Sequence, residues 1–560
     1  MIPGLRGAWL AAAAAVTAAV MLAVTPVPAA ANPSPADTAA SARLARAEID
    51  YADWLDATAA VATIDSGLLT RIDGRNRRAW ERRRVRLTAA LDLALARIDA
   101  TALGAEDADA LRAMRKGLRV NALDASDSTP GHCADRSDAA RSAGDSDPTA
   151  LQVDLYACFE EIGNHIPFEG RTLVRTTALD LLQVLDDPGR RRRLFLALEP
   201  LWSAVNAQDD PDSPYRRMMV VAAAQAQRNG GTPIDDAAAT LGISNADIER
   251  WLTDILDAWR QHLPGPPIEP WNYWYAAAGA ARELAPLIPR ASVLPISERF
   301  YHDLGADLNG LGIRHDLDVR PGKAPLAYAD HVRIGRLIGT RWRPAIPRVS
   351  ANYEQGGLFV LNELIHEDGH AVHDAALRTR PAFYSMGDDL FVEAFADVPS
   401  WSTFEPAWQQ KYLGRATDTR ASLRALYANV MLDVAWGLFE LRMLKEPASD
   451  PNAVWTGITS RYLNIAPHPE LSWWALRVQL VRWPGYMINY GLGAVLTADI
   501  RSRTAEAIGS FATGNARWYA WTSEHLLRYG TSLDTQALLR QFLGRPVDTA
   551  ALLNQLQRLD

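Results

Sequence analysis

The chain has 560 residues, 48% of them hydrophobic, with 58 Lys and Arg against 66 Asp and Glu, a net charge of −8 at pH 7. That mildly acidic balance argues against a nucleic-acid partner, which would call for a basic face. Two cysteines, Cys133 and Cys158, cannot complete a thiolate zinc cage, so any metal must rest on histidines and carboxylates.

Arg6 is the only charge in the first 36 residues, followed by an apolar run from Ala8 to about Val24 and small residues at Ala29–Ala31. This order predicts a secretory signal peptide over residues 1–31. The competing reading is an uncleaved anchor, although the run is near the lower length limit for a span and ends at Pro26 and Pro28. No cysteine stands near the cleavage region to carry a lipid, and no later stretch of about 18 residues is apolar and uncharged. The mature chain is expected to be secreted or periplasmic, with no stable membrane anchor. Its charge would be −9, with 57 basic and 66 acidic residues. Export favours a Cys133–Cys158 disulfide, two free thiols being the alternative.

Residues 32–560 read as one helical domain, with amino-terminal helices and an exposed loop over 32–150 and the main body over 151–560. Apolar residues recurring at three and four positions predict helices over Ala40–Ser66 and Leu69–Leu103. Residues 122–149, rich in Asp, Ser and Gly, read as the exposed loop. Helices follow over Leu151–Ile162, Leu173–Leu185, Arg190–Ala207, Ser213–Arg228, Ala246–His262, Ala276–Leu287 and Ile296–Leu308. Arg348–Tyr353 is the best strand candidate. Helices resume at Leu358–Leu377, Asp389–Thr403, Thr419–Leu444, Ala453–Tyr462, Trp473–Trp483, Tyr486–Ile508 and Asn515–Tyr529. The expected fold is all-α with a small β-sheet edge near the active site.

The chemistry concentrates in His366-Glu367-Asp368-Gly369-His370. Histidines four apart on a helix share one face, about 6 Å apart along the axis, a spacing at which both can ligate one zinc ion. Catalytic zinc takes three protein ligands and one open position. Glu393, 23 residues past His370 on the next predicted helix, is the expected third ligand. Asp397, one turn on, is expected to accept a hydrogen bond from the outer nitrogen of a ligating histidine. Glu367 is the expected general base and then acid, and the cofactor one Zn2+ per chain. His373 lies a turn beyond the ligands and reads as a packing or hydrogen-bonding histidine, with a substrate contact as the alternative. Gly369 inside a helix implies close approach by another element.

Two further segments suit peptide chemistry. The Arg348–Tyr353 strand, through Ala351 and Tyr353, can offer an edge to an extended peptide, a surface loop being the alternative. Tyr486 and Tyr490 in Pro484-Gly485-Tyr486-Met487-Ile488-Asn489-Tyr490 can aim a phenol at a developing oxyanion. Arg477 and Arg482 are candidates to hold a substrate's terminal carboxylate.

HEDGHAVH, the downstream FVEAFAD and the late PGYMINY together resemble the all-helical gluzincin peptidases. The pattern from His366 to His373 is similar to the thimet oligopeptidase and oligoendopeptidase family. Glu393 with Asp397 is similar to the angiotensin-converting-enzyme family of peptidyl dipeptidases. Ile49-Asp50-Tyr51-Ala52-Asp53-Trp54 and Asp187-Pro188 also look like the latter family's amino-terminal helices. The resemblance implies a two-lobed helical shell around a deep channel that admits oligopeptides and excludes folded proteins.

One departure stands out: both families place a histidine roughly ten residues before the transition-state tyrosine, whereas here the nearest upstream histidine is His468. Arg477, Gln479 or Arg482 is left to donate in its place. The expectation is an exported zinc metallopeptidase acting on oligopeptides. Its rivals are a non-catalytic zinc-containing binding protein and a zinc amidohydrolase on a non-peptide substrate.

Overall fold

The computed structural model describes residues 35–124, 148–229, 233–263, 265–320, 323–324, 326–482 and 484–559. Helix makes up 67% and strand 7%, the strands lying in small separate sheets. Twelve helices carry the account: α1 Pro35–Asp65, α2 Arg77–Ala96, α3 Ala105–Asp124, α4 Pro148–Gly163, α5 Arg175–Val184, α6 Asn245–Arg260, α7 Val293–Asp303, α8 Leu358–Ala376, α9 Asp389–Ser400, α10 Thr419–Lys445, α11 Gln479–Arg482 and α12 Tyr486–Ile508. Among the described residues no helix is long and apolar enough to cross a membrane.

Helices α1 to α3 form an amino-terminal layer with its own apolar cluster, including Leu44, Trp54, Leu91, Leu111 and Met114. Charge ties this layer to the body. Arg380 pairs with Glu48 at 2.9 Å and Glu106 at 2.8 Å. Asp53 takes Arg336, and Asp56 takes Arg343, each at 2.7 Å. The main core runs from Leu155 to Leu559, and α8, α9, α10 and α12 all contribute to it.

The most consequential sheet has three strands: β1 Arg314–Asp316, β2 Tyr328–Arg333 and β3 Ile346–Ser350. Its order is β1-β3-β2, with β3 parallel to β1 and antiparallel to β2. The predicted strand is therefore central, not an edge. The same pairing continues beyond it: Ala351 N donates to Asp316 O at 2.9 Å, and Tyr353 N to Leu317 O at 3.2 Å. Ala351 O accepts from Lys323 Nζ, and Tyr353 O accepts from Arg290 Nε. The backbone N–H and C=O groups of Ala351 and Tyr353 thus already have partners within the protein.

Several predicted helices are divided. The stretch Leu69–Leu103 opens with a hairpin pairing Arg71–Ile72 with Arg75–Asn76. Asp73 and Gly74 both take positive φ, 47° and 74°, as a two-residue hairpin turn requires. Helix α2 then starts at Arg77, where the Asn76 side chain caps the Ala79 N–H. A similar turn at Glu169-Gly170 joins Ile166–Phe168 to Arg171–Leu173, so α5 starts only at Arg175. Arg190–Ala207 becomes Pro188–Leu196 and Glu199–Asn206. Ala276–Leu287 becomes Tyr273–Ala277, Gly279–Leu284 and a short turn at Ala285–Leu287. Trp473–Trp483 becomes a turn at Trp473–Leu476 and then α11. Asn515–Tyr529 becomes Trp518–Thr522 followed by a π turn at Ser523–Leu527. Helices α3, Pro233–Leu241, Pro406–Leu413, Thr535–Leu543 and Ala550–Leu556 have no counterpart among the predicted ones.

Cys158, buried in α4, is disulfide-bonded. Cys133, most of the expected loop and the signal segment lie outside the described residues.

Candidate metal centre

Helix α8 is almost wholly buried, with Leu361, Leu364 and Ile365 at 0% exposure. Close packing against α9 explains Gly369: a Cβ there would meet Ala396 Cα at 3.0 Å and Ala396 O at 3.1 Å. Even one methyl group would push the two helices apart. Helix α9 buries Phe391, Phe395 and Val398 and turns Glu393 and Asp397, one turn apart, toward α8.

That crossing brings three lone-pair donors together. His366 Nε2 lies 3.1 Å from His370 Nε2 and 3.3 Å from Glu393 Oε2, and His370 Nε2 lies 3.7 Å from the same oxygen. One donor atom from each of the three residues lies within 4.8 Å of the others, so the group can hold a metal ion. Asp397 Oδ1 lies 2.7 Å from His366 Nδ1, leaving Nε2 for the centre. Ser400 Oγ in turn donates to Asp397 at 3.2 Å. Burial alone would raise the Glu393 carboxyl, but hydrogen bonds from His366 and His370 hold it well below the usual carboxylate range. Burial lowers His366 too, yet Asp397 and Glu393 together hold it well above an ordinary histidine.

Glu367 is buried, with Oε2 unpartnered. Burial pushes its carboxyl up to about 8, against the pull of His366. A carboxyl poised near neutrality suits a group that must both take and give a proton. Asp368, beside it, is fully buried and clamped by Ser297 Oγ at 2.6 Å and His315 Nε2 at 2.7 Å, which ties α8 to α7 and β1. His373 packs edge-on against Phe391 and Phe395, and burial lowers it to about 3.

A cavity of about 370 Å³ opens on this group, lined in part by Arg175, Asp180, Tyr353, Glu363, His366, Glu367, Asp433, Arg477, Gln479 and Tyr490. The two candidate tyrosines occupy different places. Tyr486 Oη donates to Glu393 Oε1 at 2.8 Å, so it braces the carboxylate of the metal group. Tyr490 lines the cavity and receives Gln479 Nε2 at 3.4 Å. Arg477 is ion-paired with Asp433 and lies over the rings of Trp436 and Tyr490, at 4.9 and 5.4 Å from their centroids. Its charge is therefore already engaged within the protein. The side chain of Arg482 lies outside the described residues.

Sequence reasoning missed four groups. Glu363 stands one turn before His366 on the same helical face, and the helical period alone would have found it. Arg175 and Asp180 arrive from α5, with no local signal. Burial, followed by the Glu363 charge, pushes Asp180 up to about 8. Glu440 on α10 is fully buried and accepts the backbone N–H groups of Gly485 and Met487, each at 2.7 Å. It thereby fixes the start of α12 and the line of both tyrosines.

No family model matches this chain, and no curated protein matches it.

Proposed function

We propose that this protein is a zinc-dependent metallopeptidase that hydrolyses oligopeptides. The observation carrying the proposal is the convergence of His366, His370 and Glu393 beside a buried, unpartnered Glu367 oxygen. Two imidazoles and one carboxylate are a donor set typical of catalytic zinc. The ion, when bound, would supply Lewis-acid activation of water and of the substrate carbonyl. Glu367 would take the proton of the attacking water as the new C–O bond forms, then give it to the amine as the C–N bond breaks. Tyr490 would donate to the carbonyl oxygen as charge builds there. Asp397 and Tyr486 would hold the ligands in register.

The resemblance to the gluzincins belongs to the same proposal. So do the two-lobed shell, the single domain over 32–560, export by the leader at 1–31, and the choice between dipeptide trimming and internal cleavage. A mixed oligopeptide library digested with and without chelator, and read by mass spectrometry, tests the reading. Chelator-sensitive cleavage with a consistent position is the expected result. Zinc bound without any cleavage would support a non-catalytic binding protein, and cleavage confined to non-peptide amides an amidohydrolase.

A further inference from the structure

We propose that Gln479 is a positioning residue whose amide N–H fixes the Tyr490 hydroxyl, so that the phenol proton is delivered into the cavity toward the reacting carbonyl. The inference rests on the peptidase reading above.

A phenol oxygen can accept hydrogen bonds but has a single proton to give. Gln479 Nε2 donates to Tyr490 Oη at 3.4 Å, occupying an acceptor position and leaving that proton uncommitted. Among the described residues no hydrogen bond takes it, while the side chain lines the same cavity as His366 and Glu367. The other end of the amide, Gln479 Oε1, is buried and has no partner of its own. Leu480 and Val481, both at 0% exposure, anchor the short helix α11. Arg477 adds a guanidinium 5.4 Å from the Tyr490 ring centroid. A donated N–H and a nearby cation both favour negative charge on the phenol oxygen, which makes its O–H the stronger donor. An amide does this without titrating, unlike an imidazole.

Direction is the essential point, and substitutions can reverse it. Gln479→Leu removes the donor. Gln479→Glu replaces it with a carboxylate that only accepts and so captures the phenol proton. Gln479→His returns an N–H. The expected loss for the Leu and Glu variants is about 10- to 100-fold in kcat, below that typical of deleting an oxyanion donor, with KM nearly unchanged. The His variant recovers most of it. The Glu variant loses activity as pH rises through its new carboxyl pKa, a limb the parent lacks.

Binding gives a readout apart from turnover. In a Glu367→Gln background, Gln479→Leu weakens binding of a phosphinate peptide that mimics the tetrahedral state, but not of the parent peptide. In metal-free protein with isotope-labelled tyrosine, the Tyr490 resonance moves in the Leu variant and returns toward its parent position in the His variant. Unchanged kcat and unchanged phosphinate affinity in a parent enzyme that does cleave peptides would overturn this inference alone. A parent enzyme that cleaves no peptide overturns the peptidase reading, and this inference with it.

Discussion

On the wall made by α8 and α9, the supports behind the metal group are close: His366 has Asp397 at 2.7 Å and Glu393 has Tyr486 at 2.8 Å. Behind them Asp368 is locked by Ser297 at 2.6 Å and His315 at 2.7 Å. On the wall made by α11 and α12, Tyr490 has one amide at 3.4 Å and the side of a guanidinium that already serves Asp433. On the first wall two of the three members of the metal group have a close partner behind them, while His370 Nδ1 is buried without one. The second depends on one contact and on where α12 begins. The two tyrosines, four residues apart, fall on opposite sides of this division: Tyr486 donates to Glu393, and Tyr490 lines the cavity.

The largest effect that could break this division is expected at Glu367. Glu367→Gln should cut peptide turnover by about 10²–10⁴-fold while leaving zinc content unchanged, as read by peptide assay and elemental analysis. Tyr490→Phe should cost roughly 10²–10³ in kcat with metal affinity intact. Tyr486→Phe should instead show its main effect in metal affinity. If the two tyrosine variants behave alike, the division between the walls is wrong.

A smaller loss tests the brace itself. Asp397→Ala should weaken zinc affinity by about 10–100-fold in a chelator competition, the range seen when an outer-sphere partner of a ligating histidine is removed.

The smallest effect concerns the second wall's foundation. Burial raises the Glu440 carboxyl from its ordinary 4.5 to about 8, despite N–H groups from Gly485, Met487 and Ile488 that favour its ionised form. Between those pH values the folded protein keeps a proton that the unfolded chain has lost, so this group's contribution to stability falls as pH rises from 4.5 to about 8. Glu440→Gln should flatten that part of the unfolding-temperature profile. A profile that keeps the parent's slope would show that Glu440 is not the group responsible.

Local signals made much of the first wall legible in the sequence. The α8 period, the four-residue spacing of the histidines and the Glu393/Asp397 turn each follow from a single helix, and Gly369 announced the close crossing. The hairpin at Asp73-Gly74 has a local turn signal inside a stretch whose apolar spacing is helix-like, whereas Glu169-Gly170 falls between the predicted helices Leu151–Ile162 and Leu173–Leu185. The rest depends on distant pairing. Whether β3 is an edge or a centre is decided by Arg314–Asp316 and Tyr328–Arg333, and Glu440 meets Gly485 from another helix. Nothing within Tyr486–Tyr490 itself could tell which phenol would meet Glu393.

Metal stoichiometry on purified protein tests the central claim most directly, by elemental mass spectrometry of the parent, His366→Ala, His370→Ala and Glu393→Ala. The account predicts one zinc per parent chain and little or none in each folded variant. A parent without metal, or variants that retain a full equivalent, would contradict it.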